Sequence, residues 1–142
     1  MEELRAICRL IIDTNSEVSN LVLQKLLYFI QAYRAVKTGV PAFENRMEAW
    51  TYGPVIPEVY FRFRDDKENF LNVDTNILEE DLRNDIILIV NQLGSLDPFT
   101  LVDATHNYQP WNDAWHNSNK EITFDSIREY HSQRSENGEG IF

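Results

Sequence analysis

The side chains best suited to metal binding or nucleophilic chemistry are Cys8, His106, His116 and His131, with Asp103 and Asp113 nearby. None has the Cys-x-x-Cys or His-Glu-x-x-His spacing that brings two ligands to one metal. Asp103 and His106 stand three apart on a predicted helix and share a face, a spacing that more often makes a surface hydrogen bond than a metal site. Cys8 falls on an apolar helical face with Leu4 and Ile11, which predicts a buried structural thiol rather than a nucleophile. The five glycines are isolated or near the end, so no glycine-rich phosphate loop exists. Paired carboxylates abound, but in so acidic a chain their pairing carries no weight. These residues therefore predict no catalytic, cofactor or metal site. A small metal-dependent hydrolase using Asp103 and His106 is the third-ranked alternative.

The aromatic residues ask for more explanation. Trp50, Tyr52, Tyr60, Phe61, Phe63, Phe70, Tyr108, Trp111 and Trp115 exceed what one small core requires. In an extended segment Trp50 and Tyr52 share a face with Glu48, opposite Met47, Ala49 and Thr51. Large rings that stay partly exposed form interface hot spots, while the plainer role is to cover the core under a polar rim.

The net charge of −10 over 142 residues is unevenly placed. Residues 1–64 hold 8 basic and 7 acidic side chains, whereas residues 65–125 hold 3 basic and 13 acidic ones. Such a surface repels phosphate backbones and lacks the basic footprint of nucleic-acid binding. It would attract a basic partner, and the acids at Glu79, Glu80, Asp81 and Asp85 are the candidate partner surface. As plain solubilising charge the same acids would form a solvated helix face. The N-terminal MEELRAICRLIID does not read as a signal peptide, and no apolar run approaches the roughly 20 residues that span a bilayer. One cysteine cannot form an internal disulfide, which points to a reduced, cytoplasmic setting.

The elements that position these groups follow from periodicity. Leu4, Ile7, Leu10 and Ile11 predict a first helix over 3–13. Ser19 or Asn20 caps a second, running to about Val36, whose broad stripe of Leu23, Leu26, Leu27, Ile30 and Tyr33, widened by Val22 and Phe29, marks a central buried helix. Residues 42–52 are predicted extended, with Ala42-Phe43-Glu44 facing Met47 to Tyr52 across Asn45-Arg46. Gly53-Pro54 signals a turn, and Pro57 suits the first turn of a short helix. Residues 65–75 read as loop. Asn76 and Glu79 resemble a capping box for a helix through Leu78, Leu82, Ile86, Ile89 and Leu93. Asp97-Pro98 starts another helix, Trp111 to Trp115 forms a further helical turn, and Thr123 opens the last helix, to about Gln133. The expectation is a mainly α, compact bundle of five to seven helices with at most a small β-hairpin: one domain over 1–134 and a flexible tail over 135–142.

Glu48-Ala-Trp-Thr-Tyr-Gly-Pro-Val-Ile-Pro-Glu-Val-Tyr60 resembles the core motif of the Panacea domain, also called the SocA-like antitoxin domain, which is common in phages and prophages. Three further matches come in the family's order. Leu23-Gln-Lys-Leu-Leu-Tyr28, with Gln31 and Tyr33, resembles its early helix motif. Gly39-Val-Pro-Ala-Phe43 resembles the segment preceding its Trp-x-Tyr-Gly-Pro core, with Ala42 where that segment has leucine. Leu101 to His106, then Pro110-Trp111, resemble its late signature. The motif positions are Lys25, Leu26, Tyr28, Trp50, Tyr52, Gly53, Pro54, Pro57, Tyr60, His106 and Trp111, and the tail after Arg134 has no counterpart.

The resemblance implies a compact helical fold without catalysis that neutralises a cognate protein toxin by direct contact. Some members serve as adaptors delivering a toxin to a protease, and many carry an added DNA-binding segment for which these 142 residues leave no spare length. Physically, Gly53 would supply an unusual φ at a strand-to-helix corner that Pro54 and Pro57 stiffen. The alternative function is an acidic DNA mimic inhibiting a nucleic-acid-binding host protein. It is weakened because Leu78, Leu82 and Ile86 thread the acidic segment as core.

Overall fold

A computed structural model describes residues Met1–Phe142. Its elements are α1 (Glu2–Thr14), α2 (Asn20–Thr38), β1 (Met47–Trp50), β2 (Gly53–Val55), α3 (Pro57–Asp65), α4 (Lys67–Phe70), a 3₁₀ turn at Thr75–Ile77, α5 (Glu80–Leu93), α6 (Pro98–His106), α7 (Gln109–Trp115), β3 (Glu121–Ile122) and α8 (Phe124–Glu136). The fold is mainly α as expected, but with eight α-helices rather than five to seven, and three strands rather than a hairpin. The additional helix is α4, in the stretch expected to be loop. It is one turn long, too short for a periodic signal, and the α1 arginines hold the chain around it. Arg5 donates to the carbonyls of Phe70 and Asn69 at 2.9 and 2.8 Å, and Arg9 donates to that of Leu71 at 2.9 Å.

Helix α2 is the axis of the molecule, packed by α1, α3, α5, α6, α8 and β2. Its start is fixed by Ser19, whose hydroxyl accepts from the Val22 N–H, and its end by Gly39 at φ +74, the left-handed cap that glycine adopts without strain. Buried residues occur all round it, so even Gln24, Lys25 and Gln31 are enclosed. Each has a partner there, as buried polar groups require. Gln31 donates to Phe43 O and accepts from Ala42 N–H, both at 2.8 Å, fastening the Gly39–Phe43 segment to the helix.

The sheet order is β2-β1-β3, antiparallel throughout. The strand expected at 42–44 does not pair; β1 turns through Thr51-Tyr52 and pairs with β2 instead, with Trp50 opposite Gly53 and Ala49 opposite Pro54. Pro54 has no N–H to donate, and β2 is an edge strand, where that loss is tolerated. On the other side Glu48 lies opposite Glu121, a like-charge pair that Arg46 offsets by bonding both carboxylates.

The predicted capping box at Asn76 also resolves differently. Asp74 caps the 3₁₀ turn through the Asn76 N–H, and α5 starts after Glu79, which makes no side-chain cap. Asp97 and Thr123 do cap α6 and α8. At the end of the chain α8 extends to Glu136, and Phe142 packs edge-on against Phe29 with ring centroids 4.9 Å apart. No single helix is long and apolar enough to cross a membrane.

Candidate functional site

The motif residues converge on one corner, where β1, β2, α2, α6 and α7 meet. Lys25, fully buried, donates to the Pro54 carbonyl at 2.7 Å. Gly53 sits above it at φ +111, and a Cβ there would lie 2.8 Å from Lys25 Cε and 2.9 Å from Thr105 Oγ1. Glycine is therefore required twice, by the backbone angle and by the approach of Lys25. Burial in this apolar setting pushes the Lys25 ammonium from 10.5 down to about 7.

Neighbouring bonds lock the corner. Gln24, one residue before Lys25, accepts from the Ile56 N–H at 2.9 Å, just before Pro57 opens α3. Asn20 donates to the Tyr60 carbonyl at 3.0 Å. Trp111 donates its indole N–H to the Trp50 carbonyl at 3.0 Å, tying α7 to β1. The His106 ring lies on Trp111 with centroids 4.1 Å apart, and His106 Nε2 is buried without a hydrogen-bond partner. Leu26 and Tyr28 lie in the core on α2, and the Tyr28 hydroxyl is 2.8 Å from His131 Nε2. Burial first, then the neighbouring Tyr108 and Tyr130, hold the Tyr28 phenol well above its ordinary value.

Outside this locked layer, aromatic rings line an open groove of about 680 Å³. Trp50 and Tyr60 meet edge-on at 5.2 Å, and Trp115 stacks on Trp111 at 5.3 Å. Tyr52 stands at the groove and is 59% exposed, and Phe61, against both Trp50 and Tyr60, is 45% exposed. The Trp50 indole N–H donates to Glu48 at 3.0 Å, and that bond, with help from Arg46, holds the Glu48 carboxyl below its ordinary value.

Over residues 23–112 the chain matches the family described as antitoxin SocA-like, Panacea domain. The chain belongs to this family. It is also 29% identical over 126 residues to antitoxin SocA of Caulobacter vibrioides, an alignment covering 75% of this chain and 67% of that protein. No solved structure matches it. The matched Panacea span runs from Leu23 in α2 to Asn112 in α7, so it contains the Lys25–Gly53–Pro54 corner, while β3 and α8 lie beyond it.

Of the motif positions expected from sequence, Lys25, Trp50, Gly53, Pro54 and Trp111 are thus brought together at the corner, while Leu26 and Tyr28 lie in the core; the acids expected to form a partner surface are not equivalent. Glu79 and Glu80 are exposed. Asp85 is buried, its carboxylate 2.8 Å from Arg34 and 3.0 Å from Lys37, and the more exposed Asp81 bonds the same two cations. Asp85 therefore ties α5 to α2 and presents no charge to a partner.

The metal candidates do not converge, and no three His, Cys, Asp or Glu side chains could hold a metal together. Cys8 is fully buried, and that burial pushes its thiol far up. His116 bonds its own helix at Asn112 O. Gln24, Thr105 and His131 were not singled out from sequence as parts of this architecture. A polar residue inside a helix apolar all round is the signal for Gln24; Thr105 falls within the Leu101–His106 match and His131 among the possible metal ligands, but neither reading points to the contacts they make here.

Proposed function

We propose that this Panacea domain acts as an antitoxin that binds its cognate toxin directly and blocks it by occupancy. The observation that carries the reading is that Lys25, Gly53, Pro54 and Trp111, within the matched family span, form a hydrogen-bonded corner beneath an exposed aromatic groove. Phe61, already packed against Trp50 and Tyr60, loses little freedom on binding, and with the exposed Tyr52 it supplies the contact area of hot spots. The exposed acids Glu79 and Glu80 add steering toward a basic region of the toxin. Delivery of the bound toxin to a protease is a further role, and it requires a second contact surface on this chain, apart from the one that holds the toxin. The DNA-mimic alternative is less favoured, because Asp81 and Asp85 are neutralised by Arg34 and Lys37.

Genetics tests the reading. Deleting the gene for the toxin, sought first next to this one, is expected to make this gene dispensable. If loss of this gene remains harmful in every such background, the antitoxin reading fails.

A further inference from the structure

The groove has a charge bias opposite to that of the molecule. In a chain of net charge −10, its only charged lining residues are two lysines, Lys25 under the floor and Lys120 at the rim, and no carboxylate lines it. The remaining walls are largely apolar, among them Leu21, Trp50, Val55 and Trp115. A positive charge beside low-dielectric walls projects its field into the groove with little screening, so a negative group entering there is favoured more than at an open surface; Lys120 at the rim supplies that charge, and a carboxylate arriving over Lys25 would favour its protonated form.

Lys120 is held in place. Its ammonium lies 4.3 Å from the Trp115 ring centroid and donates to the Trp115 carbonyl, while its own carbonyl accepts from the Ala49 N–H at 2.8 Å. It is also the only non-glycine residue at positive φ, +61. A backbone outlier of this kind persists where the surroundings over-determine it, and here it accompanies a cation held against Trp115 at the groove rim.

We propose that the groove binds an apolar segment of the toxin carrying one carboxylate, with large side chains against Trp50, Tyr52 and Trp115 and the carboxylate over Lys25 and beside Lys120. This rests on the antitoxin reading and adds the chemistry of the contact. It separates two roles: Glu79 and Glu80 steer a basic region from outside, while the groove selects an apolar, acidic segment.

The test uses the full chain and three synthetic peptides, acetyl-Ser-Leu-Phe-Glu-Leu-Ser-amide and its counterparts with glutamine or lysine in place of glutamate. Binding is followed through the backbone amide signals together with the indole N–H signals of Trp50, Trp111 and Trp115. The glutamate peptide is expected to shift Trp50 and Trp115 and to bind about tenfold more tightly than the glutamine one, with lysine weakest. Lys120→Asn, whose side chain suits positive φ and leaves the buried corner alone, is expected to remove most of that preference, and Lys25→Met to reduce it too. Equal affinity for all three peptides, a preference for lysine, or shifts confined to α5 overturns the proposal. Concentration-dependent Trp50 and Trp115 shifts in the chain alone, with dimer formation, also overturn it, because a second copy is then the occupant. The peptides contain no toxin, so these results stand apart from the genetic test of neutralisation.

Discussion

Lys25 donates its 2.7 Å hydrogen bond to the carbonyl of Pro54, joining the N-terminal part of the central helix to the sheet corner 29 residues later. The bond satisfies a carbonyl on an edge strand and holds an amine where no solvent reaches it. Much of what distinguishes this corner follows from that pairing.

Replacing Lys25 by methionine is expected to stabilise the protein. Burial lowers the ammonium from 10.5 to about 7, and a base lowered in this way favours the folded state most above pH 10.5, with that stability lost as pH falls toward 7. At pH 7 the penalty is about 4 kcal/mol. An unpaired Pro54 carbonyl takes back about 2 kcal/mol, leaving a net gain of about 2 kcal/mol. Urea denaturation at pH 7 and pH 9.5 checks both points: the variant gains at pH 7, and the gain shrinks at pH 9.5.

Gly53→Ala is expected to destabilise by about 2–4 kcal/mol, because it combines positive φ with contacts of 2.8 and 2.9 Å to Lys25 and Thr105. Thermal melting reads it directly. A melting point unchanged from the parent protein shows that the corner relaxes freely.

His131 supplies an acid-sensitive contact. Nδ1 donates to Ile141 O, and Nε2 lies 2.8 Å from the Tyr28 hydroxyl, which donates to it while the ring is neutral. Burial, reinforced by Arg134 and opposed by the bond to Ile141, lowers its pKa from 6.5 to about 4. The sign follows: this contribution is present above pH 6.5 and is lost as pH falls through 4. Between those limits about 3 kcal/mol is expected to disappear. The measurement is the difference in pH slope between the parent and His131→Gln, which cancels the other titrating groups; equal slopes sink the assignment.

Asp85→Ala is expected to cost about 3 kcal/mol, since it leaves Arg34 largely buried with only the exposed Asp81 as partner. Asp81→Ala is expected to be nearly silent, as exposed pairs are. Denaturant midpoints for the two variants distinguish them, and equal losses contradict the unequal burial.

Local chemistry made much of the fold legible. Ser19, Asp97 and Thr123 cap their helices through bonds that depend only on nearby backbone, and the stripe from Leu23 to Tyr33 marked α2 as central. What escaped was non-local. The two-residue strand Glu121–Ile122 exists because Met47 and Glu48 offer it a partner some 75 residues away, a pairing no window detects. Asp85 falls in the same acidic run as Glu80 and Asp81, and only the packing of α5 on α2 turns it inward. The motif at Glu48–Tyr60 is visible as a motif. That its glycine serves the Lys25 side chain emerges only when α2 lies against the sheet.

Neutralisation by contact is the central claim, and co-expression tests it most directly. The chain is produced together with the toxin in cells that the toxin alone arrests, and growth is measured alongside recovery of a stoichiometric complex. Restored growth with the complex present is the predicted result. Continued arrest, with this chain folded and abundant in the same cells, would contradict it.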